Sequence, residues 1–271
     1  MRVLGIYFKG INKKHCKSSS RELKGHIMAQ RESSLAIDAL VKKMIAEIQQ
    51  HTIGDAANKL PPEPELMARY QVTRYTLRQA LQKLSRMGYT FQAHGIGTFV
   101  RARLDRQAIS MQNIVGMTDE VARQGRQLTT KFANLAQTTA AEAGFLPINS
   151  AIDANTTLWE VQRLRYADDE PFLYEQSYYL CEHVKEIPEQ ALYGSLFNFI
   201  ENDDNLKLGF QDSTIAAGLM TADMATFFQK DEASPVLSVY DETYLSAGQL
   251  IAFSKLSYDA DLTKLFMFKK L

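Results

Sequence analysis

Apolar residues recur three and four positions apart through Thr73-Arg-Tyr-Thr-Leu-Arg-Gln-Ala-Leu-Gln-Lys-Leu-Ser-Arg-Met87, where Leu77, Ala80, Leu81, Leu84 and Met87 fall on one face. That period predicts an amphipathic helix, with Thr73 placed to cap its start and Gly88 to stop it. The other face carries Arg74, Tyr75, Arg78, Gln79, Gln82 and Lys83, and the helix holds no acidic residue. Arg74 and Arg78 lie one turn apart and project the same way. Upstream, Ile37, Leu40, Val41, Met44, Ile45 and Ile48 make a similar stripe in Leu35–Gln50. Between the two helices, Leu60-Pro-Pro-Glu-Pro-Glu-Leu-Met-Ala-Arg-Tyr-Gln-Val72 sets prolines at the start of a short helix that turns Leu66 and Tyr70 inward. This short helix, a tight turn and the Thr73 helix predict a helix-turn-helix.

After Gly88 the period becomes two. Tyr89–Ala93 and Thr98–Val100 read as strands joined by His94-Gly-Ile-Gly97, whose glycines permit a hairpin tip. Three helices and a hairpin make a winged helix. Beyond a polar connection at 101–112, Val115–Gln124 predicts a helix capped by Thr118, with Asp119 and Glu120 in its first turn. The remainder alternates strands and short helices. The expected strands are Thr130–Ala136, Leu158–Tyr166, Phe172–Leu180, Ser213–Leu219, Val236–Leu245 and Leu250–Tyr258. The expected helices are Ala140–Gly144, Ser195–Ile200 and Asp223–Phe228. Asp168-Asp-Glu-Pro171 and Ser246-Ala-Gly-Gln249 are hairpin turns about 78 residues apart, which suggests two similar units sharing one antiparallel sheet. The fold class is α+β. The expected division is a disordered leader or cloning-derived sequence (1–30), a winged helix-turn-helix (31–102), a linker (103–112) and a second domain (113–271). Gly25-His-Ile-Met28 resembles a cloning junction, with Met28 as the alternative start.

Charge sharpens this division. The net charge of zero hides +6 over residues 1–27, +5 over 28–104 and −11 over 105–271. A basic front on an acidic rear fits a polyanion-binding head on a body that repels the same polyanion. Cys16 and Cys181 are far apart, which points to a reduced, cytoplasmic protein without a disulfide framework or a cysteine-based zinc site. No apolar run approaches the roughly 20 residues that span a bilayer, so no membrane partner is expected. No metal or other cofactor is expected either.

The segments Leu60–Leu66, Val72–Leu81 and His94–Val100 resemble, in order and spacing, the head of the GntR family of bacterial transcription regulators. The resemblance implies a double-stranded DNA operator read by Thr73, Arg74, Tyr75, Thr76, Arg78 and Gln79, with His94 and Gly95 at the wing. Two departures stand out: Pro64 replaces a frequent arginine, and Gln92, Ala93, His94 and Ile96 fill a wing that is usually basic. Fewer cationic contacts should flatten the salt dependence of binding. Arg69 could supply part of that charge, or it could be an ordinary solvated side chain.

Arg163–Pro171, Tyr174–Ser177, Gly194–Leu196 and Ser254–Asp259 resemble the UTRA ligand-sensing domain of the HutC subfamily, related in fold to chorismate lyase. That resemblance implies a chorismate-lyase-like antiparallel sheet with helices and a small anionic effector, such as a sugar phosphate or carboxylate. It also implies that Arg163 and Arg165 hold the anion, Glu175 accepts from hydroxyl groups, Ser195 donates at a helix start, Tyr258 closes a wall and Thr118 assists. A second glutamate common in sugar-phosphate sensors is Ala252 here. From spacing alone, Arg163 and Arg165 share a strand face. If the hairpin pivots near Asp169, Glu175 faces Arg163. Two readings follow: paired guanidiniums seating an anion, or a cross-strand salt bridge plus an exposed arginine.

Three function classes remain. The leading expectation is an effector-controlled repressor, acting as a homodimer on a near-palindromic operator. A lyase-like enzyme needs a poised acid, base or nucleophile, and the scattered histidines, the lack of a Gly-rich phosphate loop and the lack of a nucleophile elbow argue against one. A DNA binder without effector control is the third.

Overall fold

The computed structural model describes residues 36–101, 108–111, 116–203 and 206–267. The expected leader, the start of the first helix at Leu35 and most of the expected linker lie outside the described residues. The chain divides into two compact units, with the division between positions 104 and 105.

In the first unit, α1 (36–49) packs its apolar stripe against α2 (Glu63–Tyr70) and α3 (Arg74–Arg86). Leu40, Met44, Ile45, Leu66, Leu77, Ala80 and Leu84 form the core, and Leu81 sits at its margin. The tight turn is made by Gln71, which caps α2 in the left-handed region. Thr73 caps α3 as expected, its Oγ1 accepting from the Thr76 N–H at 3.2 Å. Gly88, at φ 76°, releases the chain from α3 into the wing. The wing pairs β1 (Thr90–Ala93) with β2 (Gly97–Val100) in antiparallel register, Thr90 opposite Val100. Backbone bonds from Leu60 to Thr98 and from Val100 to Asn58 tie it to the chain ahead of α2.

The second unit is organised on a six-stranded sheet of order β4-β5-β6-β9-β8-β7. Its strands are β4 (Leu128–Thr139), β5 (Thr157–Ala167), β6 (Glu170–Leu180), β7 (Leu208–Leu219), β8 (Pro235–Leu245) and β9 (Leu250–Asp259). All six expected strands are present, most of them longer at the ends. The order mirrors itself about the antiparallel β6–β9 junction, as the repeated hairpins suggest. Asp168 and Asp169, both at positive φ, make the two-residue β5–β6 turn. One sheet face is covered by the chain around 140–152 and by α7 (Ala222–Phe228), through Leu158, Tyr178 and Phe253 and through Met224 and Phe227. The other face carries α4 (Met117–Arg123), α5 (Glu189–Tyr193) and α6 (Leu196–Glu201).

Several expectations need correction. Ala140–Gly144 is a turn, because the Ala140 N–H pairs with Thr156 and the Gly144 N–H with the Tyr178 hydroxyl. The helix α5 went unforeseen, being five residues entered through Pro188. Part of the expected linker is a strand: β3 (Ala108–Ser110) lies parallel to β10 (Lys264–Phe266), with Ile109 buried and the Ser110 N–H held by Glu120. Thr118 does not cap α4; Gly116 does, without a side-chain bond, and Thr118 lies inside the first turn.

Candidate DNA interface and effector cleft

The polar face of α3 is presented as its pattern predicts. Tyr75 is 63% exposed, and Arg74, Thr73 and Arg78 are exposed beside the half-buried Thr76 and Gln79. Neither arginine is alone. The Nε of Arg74 donates to Glu63 Oε2 at 3.1 Å, and the Nε of Arg78 donates to Glu63 Oε1 at 3.0 Å. The Arg78 and then the Arg74 guanidinium hold the Glu63 carboxyl below its ordinary value. One carboxylate in the first turn of α2 thus gathers both cations. The Thr73 and Thr76 hydroxyls lie 2.9 Å apart at the helix start. At the wing tip His94, Gly95 and Ile96 are exposed, and a side chain on Gly95 would meet nothing. Arg69 pairs with Glu47 at 2.7 Å, so its charge is already engaged.

On β5, Arg163 and Arg165 share the face that α4, α5 and α6 cover, and both are buried. Arg163 stands opposite Glu175 in the β5–β6 register. Its Nη2 lies 2.7 Å from each Glu175 oxygen, and its Nε donates to Oε2 at 3.1 Å. Its Nη1 donates to the carbonyls of Gly194 and Leu192. Arg165 is less well satisfied. Its Nη2 donates to Thr118 Oγ1 at 2.7 Å and its Nη1 lies 3.7 Å from Glu175, while its Nε is buried without a hydrogen-bond partner among the described residues. The spacing-based alternative of a salt bridge plus an exposed arginine is therefore right about the pair and wrong about Arg165.

The titration directions follow from these contacts. Burial acts against the Arg163 charge, but Glu175 outweighs it and holds the guanidinium above its ordinary value. Burial, then the neighbouring Arg163 charge, brings Arg165 down to about 10. Burial opposes the Glu175 charge too, yet Arg163 and Arg165 together keep that carboxyl below the usual range. With both arginines charged and Glu175 ionised, the cluster carries one net positive charge.

The other expected residues surround this cluster. Ser195 caps α6, its Oγ accepting from the Asn198 N–H at 3.2 Å. A Cβ on Gly116 would sit 3.0 Å from that Oγ, so the starts of α4 and α6 converge beside the arginines. Tyr258 is buried in the core with Leu173 and Val239, its ring edge-on to Phe172. Burial pushes its phenol well up, and the charges of Asp241 and Glu175 add to the shift.

Comparison with known proteins places both units. Residues 36–100 match the model of the bacterial regulatory proteins of the gntR family, and residues 123–264 match that of the UTRA domain. The chain belongs to the GntR family and carries a UTRA domain. It is 27% identical over 212 residues to the HTH-type transcriptional regulator YydK of Bacillus subtilis, covering 78% of this chain and 88% of that one. It is 25% identical over 204 residues to the HTH-type transcriptional repressor NagR of the same organism, covering 74% and 82%. The crystal structure of YydK superposes with a TM-score of 0.68 at 26% identity, over 86% of this chain and all of that one.

This GntR-family protein is a DNA-binding transcription regulator, and not an enzyme. Two side chains at its sites escaped sequence reasoning. Glu63 was visible only as part of a motif, and its partners are 11 and 15 residues away on another helix. Asp241 shares the arginine face, but only the sheet order brings β8 near β6.

Proposed function

We propose that this regulator is a cytoplasmic homodimeric repressor of the HutC subfamily, released from its operator by a small anionic effector seated at Arg165. The observation that carries the reading is the buried, unpartnered Nε of Arg165 in a cluster with one net positive charge. A desolvated guanidinium with an unmet donor gains strongly from a phosphate or carboxylate. The hydroxyls of Thr118 and Ser195 flank the same place, with Glu175 and Tyr258 as its further walls. The DNA-reading head is taken as residues 31–102 and the sensor as 113–271, extended back to include Ala108–Ser110.

The dimer reading is supported by β7. It is an outer strand of the sheet, exposed along both faces, with Phe210, Ile215 and Leu219 open to solvent. Its twelve residues include one Asp and neither Lys nor Arg, so it lacks the charges that usually blunt a free edge. Antiparallel pairing with a second copy satisfies that edge, and a dimer offers two α3 helices to one duplex. Effector binding then favours a dimer arrangement that no longer matches the half-site spacing.

Selection from random duplex DNA at moderate salt tests the reading. The expected product is a near-palindromic site, from which a phosphate- or carboxylate-bearing compound releases the parent protein and does not release Arg165→Ala. Recovery of no preferred site, with the dimer intact, overturns it.

A further inference from the structure

The arginine face of the sheet is covered most fully at its two ends. The helices α5 and α6 close one end over Val161, Tyr179 and Ala252. Ile109 and Met117 close the other over Leu173, Val239 and Tyr258. Between these covers Ser254 and Leu256 of β9 and Asp241 of β8 stay half-buried, and Ser213 of β7 is exposed. The register joins them. One cross-strand row runs Arg163, Glu175, Leu256, Val239, and the adjacent row runs Val161, Ser177, Ser254, Asp241, Ser213. Asp241 therefore stands two strands and one row from Glu175 on the same face. Strand spacing and rise put the two backbones about 12 Å apart. Between them lie Ser177, which is buried, and the half-buried Ser254 and Leu256.

Among the described residues, no cation pairs with Asp241. Its Oδ1 accepts from the Ser213 hydroxyl at 2.6 Å. Burial raises its carboxyl to about 6 against the hydrogen bonds of Ser213 and Gln211, and the Glu175 charge raises it further; none of these groups is cationic. The charges of Asp241 and Glu175 both push the buried Tyr258 phenol up, as two carboxylates on its own sheet face should.

We propose that Asp241 is the second anchor of the effector cleft, accepting hydrogen bonds from hydroxyl or ammonium groups at the end of the effector opposite its anionic group. This rests on the reading of Arg165 as the anion seat. The effector then carries hydrogen-bond donors at the end remote from its anionic group, rather than being a small carboxylate alone. A carboxylate is a strong acceptor for both kinds of donor, and it repels a second anionic group at that end.

Isothermal titration of the full chain with inorganic phosphate, glucose 6-phosphate and glucosamine 6-phosphate tests this. The parent should bind at least one of the sugar phosphates more tightly than inorganic phosphate. In the nearly isosteric Asp241→Asn, the affinity for that sugar phosphate should fall about tenfold while inorganic phosphate binds as before, which also shows that the cleft is intact. Arg165→Ala should lose all three. Unchanged sugar-phosphate binding in Asp241→Asn, with Arg165→Ala inactive, overturns the role of Asp241 and leaves the anion seat standing. Binding that survives Arg165→Ala, or no binding of any probe to the parent, overturns the seat and the proposal together.

Discussion

Arg163 and Glu175 face each other across β5 and β6, joined by hydrogen bonds of 2.7, 2.7 and 3.1 Å and closed off from solvent. The pair is directly opposed in register, so neither side chain can turn away without leaving the sheet face. An ion pair buried in this way contributes little net stability as a pair, yet losing one partner is costly. Here the cost is compounded, because Glu175 is also the counter-ion of Arg165.

Glu175→Ala leaves two buried guanidiniums facing each other. It should destabilise the sensor unit by about 3–5 kcal/mol, and combining Arg163→Met with Glu175→Leu should restore only the part owed to Arg163, because Arg165 still lacks its counter-ion. Urea unfolding followed by a probe in the second unit measures both. A single-variant loss under about 1 kcal/mol is what a solvated pair gives, and it would contradict the closed geometry.

Glu63 holds both arginines of the reading helix. Glu63→Gln should raise affinity for random DNA and steepen the slope of log affinity against log salt by roughly 1 to 2, since two cations are freed for phosphates. Arg78→Ala should weaken binding to the selected operator by about 1–3 kcal/mol and relax preference at one base position. Fluorescence anisotropy over a salt series reads the two affinities and the slope, and the same assay on single-base operator variants reads the preference. An unaltered slope in Glu63→Gln would mean that the freed arginines do not reach the backbone.

The β7 edge makes its own prediction. Ile215→Lys places a charge on a strand that otherwise carries one Asp, and it should shift the protein toward monomers in sedimentation velocity at micromolar concentration. The monomer should keep its secondary structure and lose operator affinity by at least about tenfold, because one half-site remains engaged. A dimer that withstands both Ile215→Lys and Phe210→Asp places the interface elsewhere.

Asp241 carries a pH signature. Its carboxyl is raised in the folded protein, so the native state binds more protons than the unfolded chain between the ordinary aspartate value and about 6. Its contribution to stability is therefore present at low pH and lost as pH rises through about 6. Glu175, lowered by its arginines, acts in the opposite sense: its contribution is present above the ordinary glutamate value and lost as pH falls through its folded value. Subtracting the Asp241→Asn stability curve from the parent curve between pH 4 and 7 isolates the first effect. A flat difference would remove Asp241 from its desolvated setting.

The head of this regulator was legible in its sequence because each of its elements is local. The stripe of Leu77, Ala80 and Leu84, the Thr73 cap and the glycines of the wing specify helix, start and hairpin within a few residues of themselves. Period two likewise announced the six long strands, but the two-residue turn at Asp168-Asp169 alone would set Arg163 against Tyr174; the bulge between Arg165 and Tyr166 shifts the register by one and brings Glu175 opposite Arg163. Tertiary structure alone decided the rest. Ala108–Ser110 is too short for a period to show, and it becomes a strand only because Lys264–Phe266 lies beside it. Glu63 meets Arg74 and Arg78 because two helices cross, and Arg165 is buried because α4 closes over it and presents Thr118. Asp241 joins that face through the β6–β9–β8 order. Periodicity reports which way a side chain points, whereas its partner depends on which distant strand or helix packs there, and no local signal carries that.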